Sequence, residues 1–121
     1  MAILVVDAED RLRGMVATYL SRRGYHIHEA KDGAEALEFV ERMAPDIVRP
    51  DMHMPGLNGI DVLHELRRRC YAGKVIVASA RQDANLLREA LDLGSIDTLS
   101  KPVDLEQLDV AIQMGLVLNG S

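Results

Sequence analysis

Several absences narrow what this chain can be. It has one cysteine, Cys70, so no disulfide can close within it, and a reducing, cytoplasmic compartment is expected. It has no long apolar run. The first, Ile3-Leu4-Val5-Val6, is too short for a signal peptide or a membrane span, and no basic segment precedes it. It has no excess of positive charge. The formal net charge of -5 argues against direct nucleic-acid binding, which calls for a basic patch or stripe. Arg11-Leu12-Arg13 and Arg67-Arg68-Arg69 lie in helical patterns among acids and read as solvated helix faces. There is no P-loop, Gly-x-Ser-x-Gly elbow or zinc-protease motif. Gly56 and Gly59 do not follow the first strand, so they are no dinucleotide fingerprint. No linker, low-complexity tract or internal repeat interrupts the 121 residues, so one domain spanning 1–121 is expected.

What is present is an alternation of short β-rich runs and amphipathic stretches. Ile3-Leu4-Val5-Val6 has the continuous apolar character of a strand buried on both faces. A helix is predicted from about Glu9 to Arg23, with Leu12, Met15, Val16, Tyr19 and Leu20 on one face and Gly24 as its left-handed stop. Tyr25 to Glu29 reads as a second strand. Asp32 and Glu35 have capping-box spacing ahead of a helix that Pro45 ends. A third strand starts at Asp46-Ile47-Val48, and Asn58 caps a third helix. Lys74 to Ala78 is the fourth strand, Asp83 opens the fourth helix and Gly94 closes it. Ile96 to Ser100 is a weaker fifth strand, and Asp104 with Gln107 starts the last helix. Five strand–helix repeats imply an α/β fold, a doubly wound five-stranded parallel sheet with helices on both faces. Ligands of such folds bind beyond the carboxyl ends of the strands, where strand order reverses.

The strand ends carry the chemistry. Asp7 closes the first, Asp51 follows the third, Ser79 the fourth and Lys101 the fifth. If the sheet order is 2-1-3-4-5, Asp7 and Asp51 face one crevice, with Ser79 and Lys101 on its far side. Two carboxylates so placed repel unless a cation sits between them. Mg²⁺ suits such oxygen ligands. A carboxylate can attack phosphorus to form an aspartyl phosphate, and an ammonium and a hydroxyl can meet phosphate oxygens. Singly, each of these residues is more often a cap, a turn residue or a solvated charge. Their joint placement is what points to phosphoryl transfer.

Ile3-Leu4-Val5-Val6-Asp7, Pro45-Asp46-Ile47-Val48, Asp51-Met52-His53-Met54-Pro55-Gly56, Val75-Ile76-Val77-Ala78-Ser79-Ala80 and Lys101-Pro102, in this order and at these distances, resemble the response-regulator receiver family over essentially the whole chain. The resemblance implies the flavodoxin-like sheet order 2-1-3-4-5. It implies that Asp51 is the phosphoacceptor, charged from a phosphohistidine on a sensor histidine kinase or phosphotransfer protein. Ser79 matches the hydroxyl that moves toward the phosphoryl group, and Lys101 the lysine that pairs with it through a cis bond to Pro102. Asp7, Asp51 and the backbone carbonyl of His53 match the ligands of Mg²⁺. His53 and Arg81 occupy positions that tune phosphate lifetime, and Ser79 and Thr98 those of the conformational switch. The switching face would be the fourth helix, fifth strand and fifth helix, read by a downstream effector or a second copy. Beyond its own phosphorylation and dephosphorylation no enzymatic activity is implied, and no membrane contact.

Three departures stand out. Ala8 replaces the second acid of the family's pair, so weakened Mg²⁺ binding is expected, with Glu9 or Asp10 as substitute ligand. Arg49-Pro50 replaces apolar residues before the acceptor. Either the strand ends at Val48, or Arg49 finds an acid such as Asp7 or Asp51, which would put a permanent cation where the metal sits. Thr98 replaces an aromatic ring. The rival readings are a pseudo-receiver that binds proteins without phosphorylation, and an Asp-nucleophile phosphatase. The latter is disfavoured because His53 stands where a second catalytic acid belongs. His26, His28 and His64 read as surface residues, and Met52 and Met54 as loop residues.

Overall fold

Each strand-forming run pairs with its neighbours in parallel, and each amphipathic stretch crosses back over the sheet. The computed structural model describes residues 1–79, 84–95, 97–100 and 104–119. The strands are β1 (Ala2–Val6), β2 (His26–Ala30), β3 (Ile47–Pro50), β4 (Lys74–Ser79) and β5 (Asp97–Ser100). The helices are α1 (Asp10–Arg22), α2 (Gly33–Met43), α3 (Gly59–Arg68), α4 (Ala84–Asp92) and α5 (Leu105–Asn119). The spatial order is β2-β1-β3-β4-β5, all parallel. The α/β class and the parallel sheet are therefore as expected.

The two faces are covered by different helices. Leu4, Val6, Val48, Val75 and Val77 meet Ala36 and Leu37 of α2, Val62, Leu63 and Leu66 of α3 and Ala90 of α4. Ile3, Val5, Ile47 and Ile76 meet Val16 and Leu20 of α1 and Leu108, Ala111 and Ile112 of α5. The period of two along each strand makes this division.

Local boundaries follow hydrogen bonding. Glu9 and Arg23 are the caps of α1, not part of it. Tyr25 precedes β2 because its N–H turns back to the Leu20 carbonyl, while the ladder with β1 runs from Ala2↔His26 to Val6↔Ala30. Asp32 accepts from the Glu35 N–H, and Asn58 and Asp61 cap α3 reciprocally. Gly24 and Gly94 take the positive φ that closes α1 and α4. Arg23 and Tyr25 both bond the buried Asp109, tying α5 to the end of α1.

β3 does not end at Val48. It pairs with β1 from Ile3↔Ile47 to Val6↔Pro50. Toward β4 the pairing covers Ile47↔Lys74 and Val48↔Val75, then resumes as the single bridge Asp51↔Ala78. Lys74 N–H donates to Asp46 and Met52 N–H to Ala78, so even-numbered residues of this segment face β4. Pro50, with no N–H, falls in the gap. A central strand tolerates it because the break is confined to one side and one position.

Candidate functional site

β1 and β3 are neighbours that deliver their next residues to the same end of the sheet. Asp7 N–H donates to the Ala30 carbonyl and Asp51 N–H to the Val6 carbonyl. The bridge between Asp51 and Ala78 sets Ser79, the last residue of β4, beside Asp51. Asp7, Asp51 and Ser79 are all buried, at 1%, 4% and 2% exposure. Their burial marks a built site, because carboxylates are rarely buried without partners.

Short loops hold these groups. Asp7 Oδ1 accepts the Glu9 N–H at 2.9 Å, and Asp51 Oδ1 the His53 N–H at 3.2 Å. His53 is exposed, and its ring reaches toward β4 with Nε2 at 3.1 Å from Ser79 Oγ. His53 thus links the Asp51 carboxylate and the Ser79 hydroxyl through backbone and ring. The N-terminus of α3 lies against the backbone of Asp51 and Met52. A methyl at Gly59 would come within 2.6 Å of the Asp51 carbonyl oxygen and 2.8 Å of Met52 Cα, so only glycine permits this approach. Met52 and Met54 lie in the loop between β3 and α3, as expected, and their side chains are buried in the core under α2 and α3. The loop is pinned by them.

Arg49 is the unusual member. It is 1% exposed, and alternation along β3 sends its side chain to the α1–α5 face, the side of Ile47. Its Nη1 lies 3.8 Å from Asp7 Oδ2, an ion pair too long for a hydrogen bond. Nε, Nη1 and Nη2 have no hydrogen-bond partner among the described residues. Burial pushes this guanidinium below its ordinary value, while Asp7 and Asp51 push it back up. Arginine titrates so far above neutrality that it stays cationic. Of the two outcomes open from sequence, the chain takes the second: the strand continues and Arg49 reaches an acid.

Arg13 was misread as part of a solvated face. Its Nη1 donates to the Asp7 carbonyl at 2.8 Å, Nη2 to Asp10 at 2.7 Å and Nε to Glu29 at 3.2 Å. It clamps the loop that carries Asp7 to the edge strand. The spacing of Asp10 and Arg13 along α1 hinted at the first pair; nothing in sequence foretold Glu29. Asp10 is engaged there, and Glu9 is exposed. Lys101, Pro102 and Arg81 lie outside the described residues, as does the side chain of Thr98. His26 is exposed, His28 is half-buried with its ring 4.8 Å from Phe39, and exposed His64 pairs with Glu89 at 2.8 Å.

Receiver domains typically bind Mg²⁺ at this site. Here the donor set fits it poorly. Ala8 offers a methyl, no group of three or more His, Cys, Asp or Glu side chains converges among the described residues, and a guanidinium already sits at ion-pair distance from Asp7. Mg²⁺ is usually held by one or two carboxylates and several waters, and here the guanidinium at Asp7 competes for that carboxylate's charge.

Residues 3–113 match the family model described as the response regulator receiver domain. The chain is 36% identical over 116 residues to the regulatory protein AtoC of Escherichia coli K12, covering 96% of this chain and 25% of that protein. It is 29% identical to sporulation initiation phosphotransferase F of Bacillus subtilis, covering 98% and 96%. It is 39% identical to the response regulator MprA of Mycobacterium leprae, covering 89% and 47%. The chain thus spans a quarter to a half of the longer relatives and nearly all of the short one. Among solved structures, a response regulator receiver domain protein from Clostridium thermocellum superposes with a TM-score of 0.93 at 27% identity, covering 98% and 96%. The pseudo-receiver reading gains no support from these relatives. With its parallel α/β sheet, its acids at the β1–β3 switch point and a family match over nearly its full length, this chain belongs to the response regulator receiver domain family.

Proposed function

We propose that residues 1–121 form one phosphoacceptor domain, which takes a phosphoryl group onto Asp51 from a sensor histidine kinase or a histidine phosphotransfer protein. A carboxylate oxygen of Asp51 attacks the phosphorus, the bond from phosphorus to the donor's imidazole nitrogen breaks, and neutral imidazole leaves. The observation that carries this reading is the buried Asp51 carboxylate at the end of β3, tied through His53 to the Ser79 hydroxyl.

Ser79 donates to a phosphoryl oxygen and Lys101 neutralises another. His53 and Arg81 set how readily water reaches the adduct. Movement of Ser79, transmitted past Thr98, biases the α4–β5–α5 face toward a downstream effector or a second copy. The domain catalyses only its own phosphorylation and dephosphorylation and works in the cytoplasm. No helix among the described residues is long and apolar enough to cross a membrane.

Intact mass after incubation with a small phosphodonor tests the reading. A gain of one phosphoryl group that Asp51→Asn abolishes supports it. No gain, or a gain that survives Asp51→Asn, overturns it, and so does continuous turnover of the donor, which would mark a phosphatase.

A further inference from the structure

A buried arginine is normally satisfied by carboxylate or carbonyl oxygens in its own plane. Arg49 is not. Its guanidinium carries five N–H donors, yet none of its three nitrogens has an acceptor among the described residues. Its nearest charge among the described residues, Asp7 Oδ2, stands at 3.8 Å. It also lies close enough to Asp51 to feel that carboxylate's charge. Removing such a cation from water is costly, and one long ion pair is weak compensation.

The charges in the crevice give the arrangement a purpose. Asp7 and Asp51 bring two negative charges. An acid at position 8 would bring a third and call for a dication, but this chain has Ala8. Losing that acid and gaining Arg49 changes the balance by two units, the charge of Mg²⁺. The position is equally specific. Arg49 lies two residues before the acceptor on the same strand face, beneath Asp7, with donors that are desolvated and have no hydrogen-bond acceptor among the described residues. A phosphoryl group on Asp51 would bring three acceptor oxygens to that place.

We infer that Arg49 is the resident cation of the Asp51 site, standing in for the divalent metal and receiving phosphoryl oxygens directly, so that phosphorylation here is metal-independent. The inference rests on Asp51 being the acceptor. No added co-reactant is needed. With phosphoramidate as donor, an Asp51 oxygen bonds to phosphorus, the phosphorus–nitrogen bond breaks, and ammonia leaves with its electron pair.

The test compares the full chain, Arg49→Met and the double variant Ala8→Asp/Arg49→Met, each with phosphoramidate in excess EDTA or in Mg²⁺, read by intact mass. In parallel, Mg²⁺ binding is measured by calorimetry without donor. The unmodified chain should gain one phosphoryl group at rates equal within about twofold in EDTA and Mg²⁺, and should show no Mg²⁺ binding heat. Arg49→Met should lose about tenfold or more in EDTA, as loss of one preorganised charge at a reacting centre does. The double variant should recover in Mg²⁺ and bind the ion. Phosphorylation of the unmodified chain only in Mg²⁺ overturns the inference and leaves the acceptor reading intact. No phosphorylation of the unmodified chain in either condition overturns both. The decisive comparison uses the unmodified chain, so misfolding of a variant does not blunt it.

Discussion

The two faces of the sheet start alike and end differently. Toward α2, α3 and α4, successive strands contribute Leu4, Val6, Val48, Val75 and Val77, and the face stays apolar down to Met52. Toward α1 and α5 the same strands contribute Ile3, Val5, Ile47 and Ile76, but the next residue of β3 on that side is Arg49, beneath Asp7 and Asp51. One strand therefore carries two instructions, read out by alternation. One face is held by filled volume. The other trades volume for charge at the end that carries Asp7 and Asp51.

The comparison is open to direct attack. Leu66→Ala, at a fully buried site on the apolar face, should cost about 3 kcal/mol, the usual cost of an aliphatic cavity. Urea unfolding measures it, and the folded fraction should still phosphorylate at the normal rate. Gly59→Ala should cost about 2 kcal/mol, because the new methyl meets backbone that cannot yield. Unlike Leu66→Ala, it should also slow phosphoryl gain, since the backbone it presses on is that of Asp51. If both variants behave alike, the division between packing and site is wrong.

On the charged side the effects should depend on pH. Burial pushes the Asp109 carboxyl up, but hydrogen bonds from Tyr25 and Arg23 outweigh it and hold the group below the ordinary carboxylate range. A depressed folded value means the stabilisation is present above the unfolded value and is lost as pH falls through the folded one. Asp109→Asn should therefore cost about 1 kcal/mol at neutral pH, the net worth of the hydrogen bonds impaired. That difference should shrink as pH falls below the ordinary carboxylate value and through the lower folded one, which urea midpoints across an acid pH series would show. The smallest effect should be a gain. Pro50→Val supplies an N–H on the β4 side of β3 and should stabilise by about 0.5 kcal/mol, with slower amide exchange in β4.

The sequence was most legible where local rules act alone. Asn58, Gly24 and Gly94 announced helix ends, because capping and positive φ are decided within a few residues. Asp7, Asp51 and Ser79 were legible as strand-end residues, and the structure brings them together. Arg13 was illegible, because its ties to Glu29 and to the Asp7 carbonyl cross from α1 to a strand whose distance in space no local pattern encodes. Met52 and Met54 were legible as loop residues, but their burial was not, because it arises only when the start of α3 at Gly59 folds over them.

By itself the sequence determined the alternation of elements, the identity of the charged groups and the absence of an acid at position 8, since these depend on residue type and short-range periodicity. Only the tertiary structure decided what became of Arg49 and Pro50. Whether a cation in a strand ends that strand or is drawn inward depends on which carboxylates lie within a few ångströms across neighbouring strands. That electrostatic balance does not exist until the sheet has assembled.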